Sequence, residues 1–389
     1  MRRKSRKKRQ PAPTHRPIAK TARTESEPEA EGEEWVEWGG ELIWAAGFTE
    51  GGTPYGLTLD EFRESNAIDA EARGAEWARA RHDLLGRRAG RTASVDIGRV
   101  KFLGDGLCRK AFIANVEVRP DPGGLSDNYA VLLTRRDADR SFDDRVRFEA
   151  RLLTYLASLD LPLRIPKILG LLSDGERPAI IETVVHGVPL DLRAGRQVRL
   201  RPWAVVAQVA ASVHVLDATA LSIPENPGWT TPGFKTRKDH ALAELAQLED
   251  RPEPLLRDIH AWALENLPPA EPSVLIHGDL LGQNILLALG EPPGLIDWER
   301  ARLGDPAYDL AIVTRGVRKP FQIESGLDRL LEAYTAYGSE IRREQVHLYE
   351  LCMLAGWYLE SLHGRESRHP PEEYLNRLSG VFRRAVIRN

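Results

Sequence analysis

Short apolar runs alternate with turns between residues 91 and 185. Five of these runs have the length and residue types of strands: Asp96–Leu103, Cys108–Val118, Asn128–Leu133, Ile165–Leu172 and Pro178–Val185. Ser141–Leu159 instead places apolar residues on one helical face and carries two aspartates in its first turn, which predicts a helix. The pattern therefore predicts a mixed layer of five strands and one inserted helix.

From about residue 186 onward the apolar positions recur mainly with helical spacing. Six segments predict helices: Pro202–Leu216, Thr236–Leu248, Pro254–Glu265, Glu324–Tyr337, Arg342–His363 and Pro371–Arg384. His214 lies on the mostly apolar first of these, and we expect a core histidine with its hydrogen bonds satisfied. Ser273–Asp309 breaks the helical period with short apolar runs and polar loops, and functional residues concentrate in such loops.

The first 90 residues differ in composition from the rest. Residues 1–34 join a block of basic residues to an acidic stretch containing Pro, Ser and Gly, which predicts a disordered tail. Residues 35–64 are rich in Trp, Phe and Gly and predict a small ordered piece, a hairpin or a packed loop, followed by a helix over Ala67–Leu85. The predicted organisation is a tail (1–34), an aromatic and helical extension (35–90), a strand-rich lobe (91–185) and a helical lobe (186–389).

The charge of the chain is nearly balanced, with 54 Lys and Arg against 57 Asp and Glu. Seven of the basic residues lie between Arg2 and Arg9, so the remainder of the chain is acidic. A basic block can serve as a nucleic-acid-binding arm or be a solvated tail. No aromatic residues interleave this block for base stacking, which favours the solvated tail and disfavours a nucleic-acid partner.

The two cysteines, Cys108 and Cys352, are far apart and form neither a metal-ligand spacing nor a disulfide framework. No run of 18 apolar residues occurs, so we expect no membrane span. The basic start is followed by Gln-Pro-Ala-Pro and not by an apolar run, so we expect no secretory signal. Together these features predict a cytoplasmic protein.

The polar loop between two apolar runs, Val274–Ile276 and Ile285–Leu287, carries the candidate chemistry. It presents His277, Asp279 and Asn284, and Asp297 follows after a further apolar run. Two carboxylates and one amide oxygen are hard ligands that suit Mg²⁺ better than zinc. Phosphoryl transfer needs such metal ligands together with one carboxylate that accepts a hydroxyl proton.

The spacing His277-x-Asp279-x4-Asn284, followed by Ile296-Asp297-Trp298-Glu299 and by the segment Gly304–Ala311, resembles the aminoglycoside phosphotransferase and choline kinase-like family. The order of elements agrees, with a strand-rich part before a helical part that holds the loop. The resemblance implies an α+β, protein-kinase-like bilobal fold, with a small mixed β-sheet lobe, a larger helical lobe and here an N-terminal extension. It also implies an enzyme that phosphorylates an alcohol group of a small molecule.

By this resemblance Asp279 is the catalytic base or the carboxylate that positions the acceptor hydroxyl, and Asn284 and Asp297 are ligands of Mg²⁺. His277 holds the loop through backbone hydrogen bonds, and Asp305 and Asp309 cap and brace the segment that follows. ATP or GTP would be the phosphate donor.

On the nucleotide side, Gly104 and Gly106 lie in the turn that would cover the phosphates, although an ordinary tight turn explains them equally well. Glu182 and Val184 lie where the family's hinge strand would meet the base. Glu149 matches the helix glutamate that pairs with a strand cation in this fold.

The chain departs from the family at that cation, because Leu132 occupies the corresponding strand position. Arg109 or Lys110, just after the glycine turn, is one replacement that could reach the phosphates. The alternative is that Glu149 lacks a partner and that the protein binds nucleotide poorly.

Three functions follow from these residues. The favoured one is a small-molecule kinase whose acceptor is open among aminoglycoside, macrolide, homoserine, amino-sugar and choline-like compounds. The second is a kinase-fold binding or regulatory protein that has lost transfer activity and acts through its N-terminal extension. The third, a kinase for proteins or nucleic acids, is disfavoured because no activation-segment-like stretch lies between Asp297 and Ala311. The oligomeric state is not readable from the sequence.

Overall fold

The computed structural model describes residues 35–38, 41–48, 54–58, 94–97, 101–105, 109–119, 128–135, 141–172, 179–193, 201–217, 233–338, 340–362 and 369–387. The strands of residues 35–58 belong to one compact unit and the residues from 94 onward to another. In the first unit, β1 (Trp35–Trp38), β2 (Glu41–Phe48) and β3 (Pro54–Thr58) form an antiparallel sheet. The ordered piece predicted within 35–64 thus contains a three-stranded sheet, whereas the predicted tail (1–34) and helix (Ala67–Leu85) lie outside the described residues.

An antiparallel sheet forms the strand-rich part of the second unit. Its strands are β4 (Ser94–Ile97), β5 (Lys101–Asp105), β6 (Arg109–Arg119), β7 (Asn128–Arg135), β8 (Ile168–Leu172) and β9 (Ala179–Thr183). The order is β4-β6-β7-β9-β8, and β5 also pairs with β6. The single strand predicted over Asp96–Leu103 is wrong, because two strands occupy it. The 11 residues of β6 are long enough to pair with both strands in succession.

The helix predicted inside this layer is α1 (Ser141–Leu156). One of its faces places Val146 and Ala150 against Ile180 of β9. Leu152 and Leu153, one turn further along the helix, join the large core of the helical region. The apolar residues of the helix therefore connect the sheet to the helical part of the unit.

The helical part holds the large core. Its helices are α2 (Pro202–His214), α3 (Arg237–Leu245), α4 (Pro254–Glu265), α5 (Ala307–Thr314), α6 (Gly326–Thr335), α7 (Arg343–Leu362) and α8 (Pro371–Val386). All but α5 were expected from helical spacing. Every residue of α5 is buried, so its sequence has no polar face from which a helical period could be read.

Five short strands frame the region between α4 and α5. They are β10 (Val188–Pro189), β11 (Val274–Ile276), β12 (Ile285–Leu287), β13 (Gly294–Leu295) and β14 (Arg302–Gly304). β12 pairs with β10 and with β13, and β11 pairs with β14. Among the helices of the described residues, none is long and apolar enough to cross a membrane.

Candidate active site

The polar loop singled out in the sequence runs from the end of β11 to the start of β12. β11 pairs with β14 in antiparallel register, so the chain leaves the β11–β14 ladder at His277. Gly278 has a φ of +79°, and a Cβ at this position would lie 2.3 Å from the carbonyl oxygen of Arg300. Only glycine accommodates both conditions, and the close approach fixes the loop beside the turn that follows Asp297.

His277 joins the loop to the strand that precedes Asp297. Its side chain is fully buried, its Nδ1 accepts from the Asp279 N–H at 3.3 Å, and its Nε2 lies 3.0 Å from the carbonyl oxygen of Ile296. These partners require a neutral ring protonated at Nε2. Burial lowers the pKa of His277, although the nearby carboxylates of Asp309 and Asp279 oppose this shift. The neutral form that the hydrogen bonds require is therefore also the form that burial favours.

Asn284 orients the carboxylate of Asp279. Its Nδ2 donates to the Asp279 carbonyl oxygen at 2.8 Å and approaches Asp279 Oδ2 at 3.3 Å. The Asn284 backbone carbonyl accepts from the Ile296 N–H at 3.0 Å. Because the amide nitrogen of Asn284 faces Asp279, its amide oxygen points away from that carboxylate. The loop therefore presents one carboxylate and one amide oxygen as separate oxygen donors.

Asp297 has an exposed side chain and an unusual backbone. Its φ and ψ are 66° and 64°, in the left-handed region that non-glycine residues rarely adopt. The buried Trp298 anchors the next residue, since its Nε1–H donates to the Leu295 carbonyl at 3.1 Å. α1 also packs against the turn Trp298–Arg300. Strain of this kind is typical of functional positions, where the surrounding structure enforces it.

A buried carboxylate, that of Asp309, holds the backbone of the loop between β11 and β12. Asp309, on α5, accepts from the N–H groups of His277 and Gly278, each at 2.8 Å. His214 Nε2 lies 3.1 Å from Asp309 Oδ2, and His214 Nδ1 lies 2.8 Å from the hydroxyl of Tyr334. His214 is thus a core histidine with satisfied hydrogen bonds, as expected. The sequence did not reveal that Asp309 braces the loop itself and not only its own helix.

Asp305 and His240 hold the neighbouring end of β14. Asp305 Oδ1 accepts from the Ala307 N–H at 2.9 Å, as expected for a residue that caps the start of α5. The Asp305 N–H donates to His240 Nδ1 at 3.0 Å, and the His240 ring stacks on Phe234 at 4.7 Å. Burial lowers the pKa of His240 and raises the pKa of Asp305. His240 could not be recognised from the sequence because its partner is 65 residues away.

The predicted nucleotide residues lie on the sheet, on α1 and beside β9. Glu149 is buried on α1, Glu182 is buried in β9, and the half-buried Val184 follows that strand. The remaining positions belong to the glycine turn and its neighbours. Gly104 lies in β5, Arg109 and Lys110 begin β6, and Gly106 lies outside the described residues. Which phosphate or base contacts these residues make stays a prediction.

Leu132, predicted to stand in place of the strand cation, lies on a central strand. The register places Leu132 of β7 opposite Phe112 of β6 and Ile181 of β9. Leu132 is therefore an integral part of the ladder, so the position expected to hold a cation offers none.

Two of the buried histidines, His240 and His277, predict that the stability of the fold depends on pH. Burial lowers the pKa of both His240 and His277, whereas an unfolded chain binds these protons near pH 6.5. As the pH falls through that value the unfolded state takes up protons that the folded state excludes, so stability decreases. We expect a lower melting temperature at about pH 5.5 than at about pH 7.5, measured by thermal unfolding.

The substitution His240→Asn offers a check on this assignment. The Asn amide oxygen can still accept from the Asp305 N–H, and the side chain does not titrate. This variant should show a shallower dependence of melting temperature on pH than the unsubstituted protein. An unchanged slope, or a higher melting temperature at the lower pH, would contradict the assignment.

Comparison with known proteins relates this site to a family. Viomycin phosphotransferase of Streptomyces vinaceus is 31% identical over 186 residues, which are 45% of this chain and 63% of that protein. The match therefore spans less than two thirds of that relative's length.

Solved structures share the fold at low sequence identity. The GDP and kanamycin complex of APH(2")-IIia has a TM-score of 0.53 at 19% identity and covers 78% of this chain and 98% of the other. Macrolide 2'-phosphotransferase MphH from Brachybacterium faecium has a TM-score of 0.51 at 21% identity, with coverage of 79% and 96%. The protein-kinase-like α+β fold predicted from the sequence is confirmed.

The family assignment comes from the sequence and covers most of the chain. The sequence pattern of the family described as the phosphotransferase enzyme family matches residues 117–349, which is more than half of the 389 residues. This match contains the loop His277–Asn284, Asp297 and the brace Asp309. It confirms the family and the phosphotransferase class expected from the motifs. The chain belongs to the phosphotransferase enzyme family.

Proposed function

We propose that this protein is a small-molecule kinase that transfers the γ-phosphoryl group of ATP or GTP to a substrate hydroxyl. The observation that carries the proposal is the hydrogen-bonded unit of Asp279, Asn284 and the strand before Asp297. Asn284 bonds to both the carbonyl and the carboxylate of Asp279, and its own carbonyl accepts from the residue before Asp297. A surface loop without a binding or catalytic role would not require this alignment of oxygen donors.

In the proposed reaction the oxygen of the acceptor hydroxyl bonds to the γ-phosphorus while Asp279 accepts the hydroxyl proton. The bond between the γ-phosphorus and the nucleoside diphosphate breaks, and the nucleoside diphosphate leaves. The hydrogen bond from Asn284 orients the Asp279 carboxylate, and the Asp309 brace holds the loop backbone. Positioning of this kind is the main contribution that a protein makes to phosphoryl transfer.

The oxygen donors present fit Mg²⁺. The Asn284 amide oxygen points away from Asp279, and the Asp297 carboxylate is exposed. No group of three or more His, Cys, Asp or Glu residues placed to hold a metal occurs among the described residues, but Mg²⁺ usually takes only one or two carboxylates together with substrate phosphates. We infer that Asn284 and Asp297 would hold the ion, which would neutralise phosphate charge during transfer.

The names of the relatives support a proposal for the acceptor class. Their names cite viomycin, kanamycin and a macrolide, three antibiotics of different chemistry. We propose an acceptor of this general class, a small molecule with a reactive hydroxyl. The adenine or guanine base of the nucleotide would lie against the segment from Glu182 to Val185.

Turnover of a panel of acceptors tests the proposal. The purified protein is incubated with Mg²⁺, ATP or GTP, and viomycin, kanamycin, a macrolide, an amino sugar, homoserine or choline, and mass spectrometry looks for a phosphorylated product. We expect one product class and a loss of product on removal of Mg²⁺.

The alternative is a regulatory protein without transfer activity, which the leucine at position 132 favours. This alternative predicts that no phosphorylated product forms and that calorimetric titration detects no nucleotide binding. Nucleotide binding that depends on Mg²⁺ would mean that the metal ligands are in use. That result would exclude the regulatory alternative even without a phosphorylated product.

A further inference from the structure

Arg164, in the connection between α1 and β8, contacts three separate segments of the chain. Its guanidinium donates to the carbonyl oxygens of His186 at 2.7 Å and Pro292 at 2.8 Å, and it approaches that of Leu286 at 3.5 Å. It also forms an ion pair with Glu291 at 2.9 Å. A guanidinium can bind several acceptors at once because its N–H donors have a fixed planar geometry.

The backbone around Arg164 reinforces this connection. The Arg164 N–H donates to the Pro293 carbonyl at 2.8 Å, and its own carbonyl accepts from the Leu295 N–H at 2.8 Å. Residue 164 therefore lies alongside β13 like an additional strand. The hairpin β12–β13 is held from one side by these bonds and from the other by the pairing of β12 with β10.

The segment after β9 rests directly on the same hairpin. A Cβ added to Gly294 would lie 2.5 Å from Cγ1 of Val185, so no larger residue fits between the segment and β13. Arg164 thus bonds to the residue that follows Val185 and to the hairpin beneath it. The hairpin begins immediately after Asn284 and ends two residues before Asp297.

We propose that Arg164 is a positioning residue for the nucleotide. The inference rests on the proposed function, in which the adenine or guanine base of the nucleotide lies against residues 182–185 and its phosphates lie near Asn284 and Asp297. One nucleotide must reach both places, so the separation between them determines how well it fits. Arg164 sets that separation by bonding to both segments.

The substitution Arg164→Ala tests this role by calorimetric titration of ATP and GTP with Mg²⁺ and by steady-state kinetics. We expect the nucleotide Kd and KM to rise about tenfold, because several charge-assisted hydrogen bonds are lost, while kcat and the acceptor KM change less than about twofold. Arg164→Lys should give an intermediate rise, since a lysine cannot bind the carbonyls simultaneously. Amide hydrogen exchange in residues 186–190 and 286–295 should become faster in Arg164→Ala.

Arg237 provides a matched control. Its side chain is also 21% exposed and pairs with Glu271, whose exposure of 54% matches the 53% of Glu291. Arg237→Ala should leave the nucleotide Kd unchanged even if it lowers the melting temperature. The inference is overturned if the nucleotide Kd of Arg164→Ala stays within twofold, if the acceptor KM rises equally, or if Arg237→Ala behaves in the same way. Absence of nucleotide binding by the unsubstituted protein would instead overturn the proposed function, and this inference with it.

Discussion

Replacing Asp279 by asparagine should lower kcat by about 10²–10⁴-fold, the usual contribution of a positioned general base. The substitution preserves size and leaves an oxygen that can still accept the hydrogen bond from Asn284 Nδ2. It removes the group that accepts the hydroxyl proton. Because Asp279 touches the acceptor in the proposed reaction, the nucleotide Kd should change little. Steady-state kinetics with the acceptor identified from the panel, together with titration of the nucleotide, measures both quantities.

Gln283 supplies the control for this prediction. It is an exposed polar residue of the same loop and lies next to Asn284. Gln283→Ala should retain kcat within about threefold, as expected for a surface substitution away from buried features. A kcat in Asp279→Asn that equals that of Gln283→Ala would show that Asp279 is not the base.

How much of the site could be predicted from the sequence depends on the distance along the chain between its parts. His277, Asp279 and Asn284 lie within eight residues, and Asp297 follows thirteen residues later, so a short pattern joined to the segment Gly304–Ala311 is enough to predict them as site residues. The support of the loop comes from much further away. Asp309 is 32 residues from His277, and His214 is 95 residues from Asp309. Pairing over such distances is created by helix packing, which leaves no local pattern to read.

The fold, like the site, could be predicted where local spacing decides the structure and not where distant contacts do. Helices with one apolar face, such as α4 (Pro254–Glu265), begin and end where their spacing predicts. α5 was missed because all of its residues are buried, and the division of residues 96–103 into β4 and β5 was missed because an apolar run does not reveal which partner residues each half will meet. Both failures arise where tertiary contacts, and not local periodicity, decide the structure.

Replacing Asp309 by asparagine should destabilise the fold by about 2–4 kcal/mol and also lower kcat, because the side chain is fully buried and surrounded by donors. Burial alone would raise the pKa of Asp309, but the interaction with His214, together with the hydrogen bond from the His277 backbone N–H, outweighs it and lowers the pKa. The folded protein thus prefers the ionised carboxylate. An asparagine would turn its NH₂ group toward the N–H of His277 or Gly278, leaving a buried donor unpaired.

Asp305 offers a comparison in which the same substitution should have a much smaller effect on stability. It is equally buried, but burial raises its pKa, so its environment already disfavours the charge. Asp305→Asn keeps the oxygen that accepts from the Ala307 N–H, and it should change the free energy of unfolding by less than about 1 kcal/mol. Urea unfolding of both variants measures the difference. Because Asp309, and not Asp305, accepts from the amides of the loop, kcat should fall in Asp309→Asn and not in Asp305→Asn. Equal destabilisation with equal kcat would mean that both carboxylates serve only to hold α5 in place, and that the loop takes its shape from Gly278 and His277 without the brace.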